Sequence, residues 1–209
     1  MVWNSVDTRQ RLLDSAREEF TDRGLEGARV DSIAARAGVN KERIYGHFGS
    51  KDELFQAVVA DALDEHVAAL GLPTEDLGEY VGRIYDFHVT HPQLLRLMQW
   101  ESLSLRAQPP LGEDRRAAHY AEKVAALATA LDTQPSLDVA ATLITLIGLA
   151  AWPHTLPHLT RLVLGPEADT DNAHCVLRAH VIDFARRALL PATSQSGSAA
   201  RETAPSTRN

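Results

Sequence analysis

Apolar residues recur at helical spacing along most of the chain, and no stretch shows the strict alternation of a half-buried strand. Glycine, proline and N-capping residues separate the successive helical patterns. The first pattern covers residues 7–23, where Asp7 and Gln10 are expected to form a capping box and Gly24 to end the helix. A longer helix is expected over residues 51–70. The pattern therefore predicts an all-α protein.

Between these two helices, residues 30–48 contain two short helical patterns separated by a turn. The first is apolar on one face and ends at Gly38, which can adopt the positive φ that such a turn requires. Asn40 is a good N-cap for the second, in which Ile44 and Phe48 face inward and the other side chains face outward. Helix, glycine turn and second helix with a polar outer face form a helix-turn-helix, whose second helix enters the major groove of DNA.

The next helix opens with a capping box of Ser50 and Glu53, and Lys51 lies in its first turn, where free N–H groups favour a phosphate. The run AGVNK, followed by IY-x-HF-x-SK-x-x-L, resembles the TetR family of bacterial transcriptional repressors. The resemblance implies an N-terminal three-helix helix-turn-helix DNA-binding domain over residues 7–55. It also implies a helical ligand-binding and dimerisation domain over residues 56–190.

Eight residues are predicted to contact double-stranded DNA: Arg29, Asn40, Lys41, Arg43, Tyr45, Gly46, His47 and Lys51. Arg43 is the best candidate for a bidentate contact to guanine, whereas Tyr45, His47 and Lys51 are expected to contact phosphates. Glycine at position 46 lowers the stability of a short helix. One explanation for its presence is that the helix backbone approaches DNA closely at this residue. Family members usually carry hydroxyl residues just before residue 30, so we expect Arg29 to supply a charged substitute. The alternative is an ordinary surface helix with solvated charges.

The net charge of −7 argues at first sight against a nucleic-acid partner. Residues 36–51, however, carry four basic side chains, Arg36, Lys41, Arg43 and Lys51, against the single acid Glu42. A basic stripe on an otherwise acidic protein is a sufficient electrostatic footprint for DNA.

The body is expected to contain six further helices, over residues 76–91, 92–103, 113–131, 137–152, 159–164 and 171–190. Residues 137–152 are nearly all apolar, so we expect that helix to be buried on all sides, in its own core or against another subunit. Pro153 and Pro157 are expected to break it. The resemblance implies that two C-terminal helices of each subunit form a four-helix homodimer interface. Residues 191–209 lack periodicity and are predicted to form a disordered tail.

The resemblance also implies that the body binds a small molecule, whose identity the sequence does not give. The predicted ligand-binding residues are aromatic, histidine and methionine side chains of the middle helices: Tyr85, His88, Met98, Trp100, Tyr120 and Trp152. Each of them is equally suited to a helical core.

Other chemistry has little support in the sequence. Cys175 is the only cysteine, so no intramolecular disulfide is possible, and it is expected to be a buried small residue. No apolar run approaches the ~20 residues of a membrane span, and no signal peptide is evident, so a cytoplasmic protein is expected. The pairs His88/His91 and His154/His158 have helical spacing but no further ligand, so no metal or cofactor is expected.

The sequence therefore predicts a homodimeric, DNA-binding transcriptional regulator without enzymatic activity. We expect a repressor that leaves a palindromic operator when a small molecule binds the helical body, although activation remains open. One alternative is a constitutive DNA-binding dimer without a ligand response. The other is an enzyme in the helical body, for which no catalytic motif stands out.

Overall fold

The computed structural model describes residues 5–74, 76–104 and 112–189, without the side chains of residues 5 and 6. Within these ranges the chain is helical and contains no strand, which confirms the predicted all-α fold. The predicted tail, residues 191–209, lies outside them. The helices are α1 Ser5–Gly27, α2 Val30–Ala37, α3 Lys41–Phe48, α4 Lys51–Leu70, α5 Leu77–Thr90, α6 Gln93–Ser104, α7 Glu113–Ala130, α8 Leu137–Thr155, α9 Pro157–Leu164 and α10 Asp171–Leu189.

Helix α1 begins earlier than its sequence suggests. It starts at Ser5, and the side chain of Gln10 donates to Asp14 (3.1 Å), so the predicted capping box of Asp7 and Gln10 is wrong. Gly24, which was expected to end the helix, instead interrupts it with a φ of 65°. One further turn follows before α2, which makes the element longer than predicted.

Helices α1–α3 and the start of α4, residues 5–55, form a compact head. Phe20 of α1 meets Phe55 of α4 edge to face, with ring centroids 5.1 Å apart. Gly38 ends α2 with a φ of 66°, and Asn40 accepts a hydrogen bond from the Arg43 amide at 3.2 Å. The predicted turn and N-cap are confirmed. These local bonds fix the angle at which α3 leaves the turn.

Two helices join the head to the body, which comprises the described residues from 56 onward. On α4, Asp61 and Glu65 hold Arg17 of α1, with the shortest contacts at 2.6 and 2.8 Å. On α6, the indole of Trp100 covers Gly24 and its N–H donates to the Thr21 carbonyl at 3.4 Å. These contacts attach α1 to both α4 and α6.

Helix α5 occupies the middle of the body and packs against α4, α8 and α10. Its N-cap is Asp76, which accepts from the Glu79 amide and also binds Arg186 of α10 at 2.9 Å. Helix α8 continues through Pro153 to Thr155 and α9 begins at Pro157, so the predicted break is wrong at Pro153 and confirmed at Pro157. A proline near the end of a helix removes a single hydrogen bond, which packing can compensate.

Helix α8 is buried on one side only within this monomer. Ile144 is 72% and Trp152 57% exposed, so of the two alternatives left open by the sequence, burial of α8 entirely within its own core is excluded. Helix α10 also exposes apolar side chains, Val176 and Phe184, and the neighbouring Cys175 is exposed rather than buried. At 19 residues with a mean hydropathy of 1.4, α8 also reaches the length and apolarity of a membrane span, contrary to expectation. One such helix is weak evidence, because core helices meet the same criteria.

Candidate functional site

Helix α3 turns one face inward and leaves the rest to solvent. Ile44 and Phe48 are buried in the head, while the six other side-chain positions of the helix are exposed. The short turn through Gly38 places α2 behind it. The exposed face of α3 is therefore free to enter a groove of DNA, as a recognition helix requires.

Of the two cations on α3 that are predicted to contact DNA, Arg43 is the one whose charge is unpaired among the described residues. Its guanidinium makes no hydrogen bond or ion pair with any residue in the described ranges. Lys41, by contrast, binds Asp31 of α2 at 3.1 Å, and this hydrogen bond and charge raise the pKa of Lys41. A contact of Lys41 with DNA therefore competes with this ion pair, whereas Arg43 has no such competing partner in the described ranges.

The basic stripe read from the sequence is smaller in the structure. Arg36 turns back to α1, where it donates to the Ser15 carbonyl at 3.1 Å and lies 3.4 Å from Glu18 and 3.7 Å from Glu19. The Arg36 guanidinium is therefore paired with groups inside the head. Counting Arg36 in the stripe was wrong, because sequence position does not show the direction of a side chain.

The Lys51 ammonium reaches the junction of α1, α2 and α4, next to the backbone that leads into Arg29. The Lys51 ammonium is 3.4 Å from the Glu26 carbonyl and 3.5 Å from the Ala28 carbonyl, next to exposed Arg29. Both side chains are thus close to an N-terminal helix end, where phosphate binding is favourable. Their phosphate contacts remain predictions.

Gly46 and its neighbours complete the exposed face. Tyr45 and His47 are exposed, and a Cβ added at Gly46 would meet no atom within 4 Å. No close contact among the described residues therefore requires glycine here.

Sequence reasoning missed Arg9 of α1, whose guanidinium lies 5.3 Å from the centroid of the Phe48 ring at the end of α3. The sequence does not show that Arg9 lies beside α3, because this contact depends on how α1 and α3 come together in the fold.

The described residues line several cavities, and three of them lie in the body beside predicted ligand-binding residues or at the junction with the head. The α5/α8 cavity, about 520 Å³, is lined by α5, α6, α8, α9 and α10. The α4/α7 cavity, about 200 Å³, separates those two helices. The α1/α6 groove, about 730 Å³, runs along the head–body junction. A helical regulator with such spaces has room for a small molecule.

The six predicted ligand-binding residues do not meet in one cavity. Tyr85 and His88 line the α5/α8 cavity, and Tyr120 lines the α4/α7 cavity. Met98 and Trp100 line the α1/α6 groove. Trp152 lies on the exposed side of α8 and lines none of these three spaces. Their ligand contacts stay predictions.

A row of four histidines runs through the body from the α4/α7 cavity to the α5/α8 cavity. The rings of His66, His88, His154 and His174 follow one another at centroid distances of 5.7, 6.3 and 6.5 Å. Burial lowers the pKa of His66 to about 3 and that of His88 to about 4, so both are neutral at pH 7. In the described part of the chain, no three His, Cys, Asp or Glu residues are grouped to hold a metal ion.

Two of these rings offer unused hydrogen-bonding atoms. Nδ1 of His88 and Nε2 of His154 are buried without a partner in the described structure, and both residues line the α5/α8 cavity. Buried polar atoms are normally paired, so these atoms are available to a bound molecule or water. His154 was considered only as a metal ligand in the sequence, since its isolated position gives no signal of a cavity.

Both parts of the chain match described families. Residues 12–58 match "Bacterial regulatory proteins, tetR family", and residues 76–187 match "Tetracyclin repressor-like, C-terminal domain". The chain is 34% identical to the HTH-type transcriptional repressor SCO4008 of Streptomyces coelicolor over 187 residues, 86% of this chain and 94% of that protein. It is 32% identical to the repressor NicS of Pseudomonas putida over 108 residues, 46% of this chain and 49% of NicS.

Solved structures show the same fold. The putative transcriptional regulator SCO4942 of Streptomyces coelicolor superimposes with a TM-score of 0.74 at 28% identity, covering 87% of this chain and 97% of that one. NalD of Pseudomonas aeruginosa, the secondary repressor of the MexAB-OprM multidrug efflux pump, has a TM-score of 0.56 at 19% identity, covering 88% and 95%. At that identity the second likeness concerns the fold alone.

Proposed function

Because the chain belongs to the TetR family of bacterial transcriptional regulators, we propose that it represses transcription as a homodimer and leaves a palindromic operator when a small molecule binds its body. It is a DNA-binding regulator with an N-terminal helix-turn-helix and a C-terminal helical domain. The relatives SCO4008 and NicS are both named as transcriptional repressors, which supports repression rather than activation. No catalytic role is proposed.

The observation that carries DNA recognition is the outward face of α3. Buried Ile44 and Phe48 lock the helix to the head, and Arg43 stays exposed without a side-chain partner in the described ranges. A rigid helix with a free guanidinium is suited to the bidentate acceptors of guanine in the major groove. Two such helices on a symmetric dimer would read two half-sites about one DNA turn, or a multiple of it, apart.

The exposed apolar side chains of α8 and α10 support the dimer. Ile144, Trp152, Val176 and Phe184 are each more than half exposed in the monomer. Exposed apolar residues in such number mark an interface, and homodimers usually form it with two-fold symmetry. A palindromic operator follows from that symmetry.

The cavities support a ligand response over a constitutive DNA-binding dimer. A body that only dimerises has no need of a cavity of about 520 Å³ lined by unpaired histidine nitrogens. Helices α4 and α6 border the cavities and also hold α1. A ligand that binds one arrangement of these helices more tightly would shift the separation of the two heads.

Selection of bound sequences from a random DNA pool at fixed salt tests this function. We expect enrichment of one palindrome, because two identical heads read the same half-site in opposite orientations. The Arg43→Ala variant, selected in parallel, should give a weaker consensus within each half-site. Salt-sensitive binding without an enriched sequence in the unmodified protein would contradict the proposal.

A further inference from the structure

Lys123 is a buried cation without a counter-charge. Its side chain is only 1% exposed, and it makes no hydrogen bond or ion pair with the residues that the structure describes. Its contact is with an aromatic ring: the ammonium lies 5.9 Å from the centroid of Tyr120. Burial of an unpaired ammonium is costly, and here it lowers the pKa of Lys123.

The same face of α7 carries two more unpaired polar groups. Nη2 of Arg116 and Nε2 of His119 are buried without hydrogen-bond partners among the described residues. Arg116, His119 and Lys123 are spaced three and four residues apart, so their side chains follow one another along one side of the helix. All three line the α4/α7 cavity.

Glu101 and Asp64, two acidic residues near this cavity, are already paired with arginines. Both oxygens of Glu101 accept from Nη1 of Arg116 at 3.0 Å, and both oxygens of Asp64 accept from Arg115 at 2.9 Å. His66, which faces the cavity from α4, is neutral at pH 7 because burial lowers its pKa to about 3. No carboxylate lining the cavity is therefore left to balance Lys123.

The remaining walls are apolar and limit the size of an occupant. Ala60, Leu63 and Val67 of α4 face the ring of Tyr120 across a space of about 200 Å³. An inorganic anion would leave these walls without contact, whereas a compact apolar group would cover them. The cavity thus combines cationic groups on α7 with apolar residues on α4.

We propose that the α4/α7 cavity binds a small organic carboxylate, with the carboxylate against Lys123, Arg116 and His119 and an apolar group against α4. Charge-assisted hydrogen bonds would pair the buried ammonium, and the apolar group would fill the gap between the helices. Because α4 also holds Arg17 of α1, occupation of this cavity moves the head relative to the body. This regulatory consequence rests on the proposed function, whereas carboxylate binding does not.

Titration of the full chain with benzoate and hexanoate, followed by calorimetry and thermal melting without DNA, tests the site. Benzamide and hexanamide are the neutral controls of matched shape. We expect both carboxylates to bind and raise the melting temperature, and both amides to bind at least about tenfold more weakly. Equal binding of acids and amides, no binding of either acid, or an equal effect of chloride at the same ionic strength would overturn the proposal.

Two substitutions locate the binding site. Lys123→Met keeps the length of the side chain and removes the charge, so it should weaken benzoate binding at least about tenfold and leave the ligand-free protein no less stable. Arg96→Met removes an exposed cation of the α5/α8 cavity and should leave benzoate binding unchanged. Loss of binding in Arg96→Met with retention in Lys123→Met would overturn the assignment.

Operator affinity with and without benzoate separates the two proposals. We expect benzoate to weaken operator binding by the unmodified protein and to have no effect on Lys123→Met. If benzoate binds in calorimetry but operator affinity is unchanged, the regulatory role of the site is overturned. A protein that binds benzoate but no specific DNA would instead contradict the proposed function.

Discussion

Arg43 and Lys51 are cations whose surroundings in the head differ. Arg43 projects from the exposed face of α3 without a partner in the described structure, whereas Lys51 lies over carbonyls at the end of α1. A free guanidinium on a recognition helix can discriminate bases, whereas Lys51, at the junction of three helices, is predicted to contact a phosphate and so to position the protein without specifying sequence. The two residues should therefore affect DNA binding in different ways.

Arg43→Ala should reduce the preference for the operator over a scrambled duplex by about 1–3 kcal/mol, because a bidentate base contact is lost. Lys51→Ala should weaken both duplexes alike and reduce the slope of log affinity against log salt by about one, because one phosphate contact is lost. Fluorescence anisotropy over a salt series measures both quantities. Equal losses of Arg43→Ala on the two duplexes would refute the base contact.

Gly46 allows stability and DNA binding to be separated at one position. An added Cβ meets nothing within 4 Å in the free protein, so Gly46→Ala should stabilise the head by about 0.5–1 kcal/mol. The same methyl group should weaken operator binding if the backbone of α3 approaches DNA closely. Thermal melting and operator affinity of one preparation test both effects. A more stable protein with unchanged affinity would show that glycine is not needed for the approach.

At the scale of elements, the contact between α4 and α5 depends on neutral histidines. His66 stacks on His88 and meets Phe87 edge to face. Burial lowers the pKa of His66 to about 3 and that of His88 to about 4, from about 6.5 in the unfolded chain. Besides His88, the charges that lower the pKa of His66 are those of Lys123 and His119 on α7. Protonation of either stacked ring therefore opposes the packing of these helices.

Between about pH 4 and 6.5 the unfolded chain binds protons that the folded chain does not, so the free energy of unfolding should fall as the pH is lowered through this range. Each histidine contributes about 1.4 kcal/mol per pH unit in the steep part of the range. Urea unfolding at pH 5, 6 and 7 measures the slope. His66→Phe, which retains an aromatic ring beside Phe87, should have a clearly smaller slope. An identical slope in this variant would contradict the assigned pKa of His66.

Element boundaries could be predicted from the sequence where a local hydrogen bond decides them. Asn40, Ser50, Asp76 and Ser136 all accept from the backbone amide three residues later, as expected for N-caps. The start of α1 was wrong because a helix can begin at either of two nearby residues, and Gln10 binds Asp14 instead of folding back. A local sequence pattern shows that a helix can begin at more than one nearby residue, but it does not show which of them is the first residue in the folded protein.

At the scale of the whole molecule, sequence periodicity shows which side of a helix is apolar but not which helix it meets. The six predicted ligand contacts consequently lie in three separate spaces and on the outside of α8. Lys123 could have been noticed, because it lies between Tyr120 and Leu127 on the apolar side of α7. Its burial depends on α4, about 60 residues earlier in the chain, and no local pattern reports that contact.

The apolar sides of α8 illustrate the same limit for assembly. A helix that is apolar all round is buried somewhere, but the sequence does not distinguish its own core from a second subunit. In the monomer Val139, Leu143 and Leu146 are buried, while Ile144 and Trp152 are exposed. The proposed dimer would cover the exposed side and set the distance between the two heads.

The central claim is that both heads of one dimer bind one palindromic operator. The most direct measurement is the affinity of the full chain for the selected operator with five base pairs inserted between its half-sites. This insertion turns one half-site by about half a helical turn, to the opposite side of the duplex. The control duplex carries the same five base pairs outside the half-sites.

We predict that the internal insertion reduces the affinity to near that of a single half-site, while the external insertion has no effect. The reason is that a dimer with fixed head separation cannot reach both half-sites on opposite sides of the duplex. Equal affinity for the two lengthened duplexes would contradict the claim, because it would mean that each head binds DNA independently.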